Sequence, residues 1–171
     1  MYVRAGGIFV DTAVLRFVVN TCTYLSNIGG VYAGAIMFNE DNHFGSLSQT
    51  TFIGNQAAVG GGGIYIRNKN LHFDFSYCVF QGNAAYIGAG VRLWSDNLFF
   101  TFSGCSFSYQ FAVFGSGLME SSGNEDVTVI DCTFTHNTAV VAGGGVVVTS
   151  AANRWKFIGN HYESNVAANG A

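Results

Sequence analysis

Apolar and polar positions repeat along this chain with a period of 27 to 28 residues. The clearest marker is an aromatic side chain that recurs in steps of 28, 28, 27, 27 and 28 residues. Its six members are Tyr24, Phe52, Phe80, Phe107, Phe134 and Tyr162. A repeat of this length predicts one small structural unit per period, each stacked on its neighbours.

Three short segments of each period carry the pattern of a β-strand. One segment contains the aromatic residue, and a second holds two apolar residues spaced by two, such as Phe73 and Phe75, with the polar Asp74 between them. The third is an apolar triplet whose first residue lies 16 positions before each aromatic. These starts are Ile8, Ile36, Ile64, Val91, Leu118 and Val146. Alternation with a period of two is typical of strands with one buried face, and no segment shows helical periodicity.

Polar side chains recur at the predicted turns. One series lies three residues after the aromatics and consists of Asn27, Asn55, Asn83, Gln110, Asn137 and Asn165. Another lies ten residues before them and consists of Asn42, Asn70, Asn97 and Asn124. Asparagine tolerates positive φ, and stacked asparagines can hydrogen-bond to one another. The chain is therefore predicted to be an all-β parallel β-helix of about six coils, with three short strands per coil, in one domain spanning 1–171.

The composition of the chain leaves the predicted fold unchanged and excludes several other classes of protein. Hydrophobic residues make up 49% and charged residues 10% of the chain, which argues against disorder. The absence of proline suits central strands, which must donate ladder hydrogen bonds. A net charge of -3 argues against nucleic-acid binding, and the apolar runs are shorter than the ~18 residues of a membrane-spanning helix. The first residues lack the apolar core of a signal peptide, and both ends are expected to lie within a coil, as in an excerpt of a longer solenoid.

Cysteines form a further series, two residues before the aromatics. The four are Cys22, Cys78, Cys105 and Cys132. Because they alternate with the aromatics on the same strand, their side chains are expected to point inward. Neighbouring coils would align the Cβ vectors in parallel, which fits disulfide geometry poorly. Buried free thiols are therefore expected, and cysteine usage leaves the redox compartment open.

The turn motifs resemble the polymorphic outer-membrane protein repeat first known from chlamydiae, in which F-x-x-N is followed by G-G-A-I. F-x-x-N matches at 52–55, 80–83 and 134–137, matches loosely at 24–27 and 162–165, and is altered by Gln110 at 107–110. The G-G-A-I half is closest at 33–36, 61–64 and 143–146, and only its glycine-small-glycine-apolar character remains at 88–91 and 115–118. The resemblance implies a right-handed parallel β-helix at a cell surface or outside the cell, often acting in adhesion.

Parallel β-helices also include polysaccharide lyases and hydrolases, so candidate catalytic and metal-binding groups matter. His72 and Asp74 share one face of a strand, and Arg92 lies in the same coil. They form either a catalytic constellation or a solvated polar face, and the sequence favours the second, so no catalytic residue is predicted. Four carboxylates could supply oxygen ligands to calcium. They could equally be ordinary polar residues of exposed turns, and the sequence favours this second interpretation. These are Asp96, Glu120, Glu125 and Asp126. No cofactor or metal site is predicted.

The middle residues of the apolar triplets are the candidate interaction surface. They are Phe9, Met37, Tyr65, Arg92, Met119 and Val147. If the ends of each triplet face inward, these residues face outward and form a mostly apolar stripe. An exposed apolar patch usually marks an interaction site, although flanking chain could cover this one.

The sequence therefore favours a non-catalytic structural or adhesive segment of a cell-surface or secreted repeat protein. Its expected partner is a protein or glycan ligand, or further coils of the same protein. One alternative is a carbohydrate-active β-helix enzyme whose site is completed by coils outside this chain. Another is a self-assembling filament subunit.

Overall fold

The computed structural model describes residues 4–149 and 152–169, where the chain winds through six coils of four strands each. The first two coils contain β1 Ile8–Thr12, β2 Phe17–Asn20, β3 Thr23–Leu25, β4 Ile28–Gly29, β5 Ile36–Glu40, β6 His43–Ser48, β7 Thr51–Ile53 and β8 Gln56–Ala57. The middle two contain β9 Ile64–Asn68, β10 Leu71–Ser76, β11 Val79–Gln81, β12 Ala84–Ile87, β13 Val91–Ser95, β14 Leu98–Ser103, β15 Ser106–Ser108 and β16 Phe111–Phe114. The last two contain β17 Leu118–Ser122, β18 Glu125–Ile130, β19 Thr133–Thr135, β20 Thr138–Ala142, β21 Val146–Val147, β22 Lys156–Ile158, β23 His161–Glu163 and β24 Val166–Asn169.

Equivalent strands of successive coils pair in parallel and form four six-stranded sheets. Sheets 1 to 4 contain, in that order, the first, second, third and fourth strands of the coils. The predicted parallel β-helix of about six coils is confirmed, but each coil has four strands rather than three. The strand that the pattern missed follows the asparagine of F-x-x-N. It shows no apolar-polar alternation because outward-facing positions such as Tyr86 and Phe111 are themselves apolar and exposed.

The register between coils follows the 16-residue spacing seen in the sequence. Phe80 pairs with Phe52 on one side and Phe107 on the other, and the first residues of the triplets pair with one another. Tyr162 lies opposite Phe134. The variation between 27 and 28 residues is absorbed in sheet 4, where the register shifts between Ala139 and Ala142 before the glycine turn.

The core is a narrow column of stacked side chains enclosed by the four sheets. Ring centroids along the aromatic series from Tyr24 to Tyr162 lie 5.0, 4.8, 4.7, 4.8 and 5.1 Å apart, with the rings nearly parallel. A second stack pairs Phe75 with Phe102 at 4.6 Å. These spacings equal the distance between neighbouring strands and lie within the favourable range for offset aromatic pairs. The strand ladder and the packing of the core therefore share one repeat distance.

Candidate functional site

The middle coils have three sharp corners built on one plan. A residue with positive φ redirects the chain, and the residue after it points a hydrogen-bonding side chain inward. Examples are Gly82 (φ 60) before Asn83, Asp96 (φ 55) before Asn97 and Gly104 (φ 60) before Cys105. Such a turn interrupts the backbone ladder, so the inward side chain must satisfy the backbone groups that lose their partners.

Asparagine does this in both directions along the rod. The Asn55 backbone N–H donates to Asn83 Oδ1 at 2.9 Å, and Asn55 Nδ2 donates to the same oxygen at 3.0 Å. Asn55 Nδ2 also donates to the Tyr24 carbonyl at 2.9 Å in the preceding coil. The series runs from Asn27 to Asn165, and Gln110 joins it because its Oε1 accepts from the Asn83 N–H at 3.0 Å.

The second asparagine ladder ends on a buried carboxylate. Asn97 Nδ2 donates to Asn124 Oδ1 at 2.7 Å, but the next coil has Ala152 at the equivalent position. Glu120 is fully buried and supplies the missing acceptor: its Oε1 accepts from Asn124 Nδ2 at 2.9 Å, and its Oε2 from the Thr149 N–H at 2.9 Å. The carboxylate thus closes the ladder from inside the rod.

The four carboxylates considered for calcium do not converge. Glu120 faces inward, whereas Glu125 and Asp126 bind Arg154 on the surface with N–O distances of 2.6 Å each. The Arg154 guanidinium lowers the pKa of Asp126 by hydrogen bonding and charge. Within residues 4–149 and 152–169, no three His, Cys, Asp or Glu side chains lie close enough together to hold a metal ion.

Thiols take the place of asparagine at the remaining corner. Cys78, Cys105 and Cys132 are buried and free, as predicted. Cys78 Sγ donates to the Leu47 carbonyl at 3.3 Å, and the Cys105 N–H donates to Cys132 Sγ at 3.4 Å. Hydrogen bonding to its two neighbours and burial raise the pKa of the Cys105 thiol. Cys22 occupies the same corner in the first coil, with its Sγ donating to the Asn20 carbonyl at 3.4 Å, but it is exposed, so the expectation of burial is wrong for this cysteine.

The predicted apolar stripe is largely covered. Met37, Tyr65 and Arg92 are only 1%, 2% and 2% exposed, so the prediction of an exposed face is wrong at the centre of the rod. Toward the two ends, Phe9 is exposed, and Met119 and Val147 are partly exposed. Met37 and Tyr65 form a small cluster of their own with Ala33, on the side of sheet 1 that faces away from the main core. Alternation placed these residues outside the main core, but it did not show what lies over them.

The cover is the glycine turn, which folds back over the triplet. At Gly61 (φ 69) an added Cβ would lie 2.6 Å from Tyr65 Cβ and 2.5 Å from the Ile64 carbonyl oxygen, so no larger residue fits. Arg92 lies under the turn and stacks its guanidinium on two aromatic rings. Its guanidinium carbon is 4.3 Å from the Trp94 ring centroid and 5.5 Å from that of Tyr65. Burial raises the pKa of Tyr65 to about 12.

An open cleft lies on the outer face of sheet 2 and has a volume of about 760 Å³. His72 and Asp74 both line it, whereas Arg92 is buried under the glycine turn, so the predicted trio is not brought together. Leu15, Arg16, Val18, Phe44 and Ser46 line it as well.

The sequence interpretation missed an aromatic stack beside this cleft. Phe44, His72 and Phe99 have φ of 57, 58 and 62°. Their ring centroids lie 5.2 and 4.7 Å apart, with interplanar angles of 5 and 8°. A signal was present, since each residue lies eight positions before an aromatic of the main ladder.

Comparison with known proteins finds one similarity, in a single segment of the chain. Residues 49–67 match the Chlamydia polymorphic membrane protein repeat, and this segment contains F-x-x-N at 52–55 and its glycine-rich partner at 61–64. Comparisons with curated proteins and with solved structures found no match. Among the described residues, no helix is long and apolar enough to cross a membrane. One segment of this parallel β-solenoid, residues 49–67, is therefore similar to a polymorphic membrane protein repeat.

Proposed function

We propose that this chain is a non-catalytic, structural and adhesive segment of a cell-surface or secreted repeat protein. In this role the solenoid is a rigid spacer that holds a binding face away from its attachment point. The observation that carries the proposal is the set of corner ladders, in which side chains such as Asn55 bond to both neighbouring coils. Each coil is thereby joined to the next at its corners as well as along its strands.

Rigidity follows from the way these ladders are built. Bending between two coils would lengthen the strand hydrogen bonds on one side of the rod and open the ring stack inside it. Groups such as the Asn83 amide are fully buried, and no water could replace their lost partners. A rod in which bending between any two coils is opposed by this loss of free energy is suited to act as a spacer.

The spacer role can be tested by pulsed electron spin resonance. Val18, Ser46 and Lys156 face outward in one column of sheet 2, with Val18 five coil steps and Ser46 four steps from Lys156. In a Cys22→Ser background, Val18→Cys with Lys156→Cys should give a narrow distance distribution near 24 Å, at ~4.8 Å per coil. The matched pair Ser46→Cys with Lys156→Cys should be shorter by about one coil spacing. Broad distributions, or equal distances for the two pairs, would contradict a rigid spacer.

The non-catalytic part of the proposal has its own test, because His72 and Asp74 share a cleft. We expect no release of reducing ends from plant, bacterial or animal polysaccharides, with or without calcium. Release that Asp74→Asn abolishes would replace the spacer proposal with a carbohydrate-active enzyme. Surface location is checked separately, by whether an antibody against the folded protein labels intact cells of its source.

A further inference from the structure

We propose that the cleft on sheet 2 binds an aromatic side chain presented by a partner polypeptide. The bound ring would extend the Phe99–His72–Phe44 stack by one member. This inference deepens the adhesive role proposed above and supplies its ligand class. The features that support it are a free ring face, two aliphatic side chains in the wall of the cleft and two charged groups.

The free ring face belongs to Phe44. His72 is covered on both sides, by Phe44 at 5.2 Å and by Phe99 at 4.7 Å. Among the described residues Phe44 has one stacked ring, His72, and the His43 ring approaches it only edge-on, at 6.3 Å and 70°. The other face of Phe44 points to the preceding coil, where Arg16 stands at the equivalent position. Phe44 remains 58% exposed, and none of the described guanidinium groups lies over its ring. The stack therefore ends at an aromatic face that is open to the cleft.

The aliphatic walls and the charged groups of the cleft select the kind of molecule that fits. Leu15 and Val18 are exposed and give the cleft aliphatic walls, which suit an apolar ring better than one covered with hydroxyl groups. Arg16 and Asp74 offer one positive and one negative group, and neither forms an ion pair among the described residues. A peptide segment matches this pairing because its amides and charged side chains contain both donors and acceptors.

Arginine and aromatic groups already stack elsewhere in this protein. The Arg92 guanidinium lies 4.3 Å from the Trp94 ring centroid, and that of Arg4 lies 5.2 Å from the Phe9 ring centroid. Arg16 could close in the same way over a ring resting on Phe44, so that the guest ring lies between an aromatic face and a cation. Both contacts are side-chain interactions and require no movement of the strands.

The test is an NMR titration that monitors the methyl groups of Leu15 and Val18. The probes are N-acetyl-tyrosinamide, N-acetyl-leucinamide as an aliphatic control, and methyl β-glucoside as a sugar control. We expect ring-current shifts with the tyrosine probe only. Phe44→Ala should weaken its binding roughly tenfold, since it removes the aromatic partner. Phe99→Ala is the matched control: it removes the ring at the far end of the stack and should leave binding unchanged.

Three results would overturn the proposal: no methyl shifts with the tyrosine probe, equal binding to wild type and Phe44→Ala, or shifts with the glucoside alone, which would indicate a glycan site. Phe44 is exposed, so Phe44→Ala is expected to keep the fold, and a thermal melt of the variant checks this. A negative titration would leave the spacer proposal standing. Failure of the spin-label experiment would in turn leave a cleft that still binds aromatic side chains.

Discussion

In this protein the asparagine side chain makes inter-coil hydrogen bonds that backbone groups make in an ordinary sheet. At a corner such as Gly82–Asn83, positive φ turns the chain and removes one rung of the parallel ladder. The Asn83 amide replaces that rung, because Oδ1 accepts from the Asn55 N–H at 2.9 Å while Nδ2 donates to the Phe52 carbonyl at 3.0 Å. Cysteine at the third corner makes the same two kinds of contact through sulfur, a weaker donor and acceptor.

Asn83→Leu tests this role at the residue scale. Leucine fills a similar volume, but it leaves the Asn55 N–H and the Phe52 carbonyl without partners in a buried site. Each such group costs about 1–3 kcal/mol, so we expect a loss of roughly 3 kcal/mol in the free energy of unfolding, measured by urea denaturation.

The matched control for that experiment is Gln110→Asn. Gln110 stands in the same ladder, and the substitution keeps an amide there, so it should change stability by less than about 1 kcal/mol. Equal losses in the two variants would mean that the amide bonds do not stabilise the corner.

At the scale of elements, prediction succeeded where one face of a strand is buried and the other is polar. It failed where the outward positions are apolar, and where a neighbouring segment covers them. Phe73 and Phe75 alternate with Asp74, and this pattern gave strand β10 directly. Strand β16 was missed because Phe111 is apolar yet faces solvent. The covered stripe was misjudged because alternation shows which side of a strand a residue occupies, not what packs on that side.

The cleft lay beyond prediction for a different reason. His72 and Asp74 could be placed on one strand face from their spacing alone. The aromatic stack beside them repeats in the sequence, but the contact between its rings depends on positive φ at Phe44 and Phe99, a conformation that bulky residues rarely adopt. The stack is therefore a product of the coil geometry, which only the structure supplies.

The glycine turn over sheet 1 gives a pH-dependent prediction at the same scale. Burial raises the pKa of Tyr65 from 10.0 to about 12, so the folded state holds this proton more tightly than the unfolded state does. The corresponding stability is complete below pH 10 and is lost as the pH rises from 10 to 12, by about 3 kcal/mol in all. Tyr65→Phe should therefore lose about 3 kcal/mol less of its free energy of unfolding than the wild type between pH 10 and 12, as measured by urea unfolding at pH 9 to 12.

Tyr77→Phe is the control for the alkaline series, because Tyr77 is exposed and lies outside the glycine turn. This variant should follow the wild-type curve across the whole pH range. If Tyr65→Phe followed it as well, the glycine turn would not shield the Tyr65 hydroxyl from water.

On the scale of the whole molecule, stability is a sum of coil-to-coil contacts, because a solenoid brings together only neighbouring repeats. Phe80 is fully buried between Phe52 and Phe107, with ring centroids 4.8 and 4.7 Å away. Tyr162 belongs to the same stack but has one ring neighbour at 5.1 Å and is exposed. The same side-chain deletion should therefore have different costs at the two positions.

Phe80→Ala should lower the free energy of unfolding by roughly 3–5 kcal/mol, as for other buried aromatics, since it opens a cavity between two coils. Tyr162→Ala should cost about 1–2 kcal/mol, because part of its ring already faces water.

Hydrogen exchange of the backbone amides shows where along the rod each variant is destabilised. Amides on both sides of Phe80 should exchange faster in the first variant, whereas acceleration in the second should be confined to strands β19 and β23. Uniform acceleration along the rod in both variants would show that the coils unfold as one cooperative unit. The ladders would then couple distant coils more strongly than nearest-neighbour contacts require.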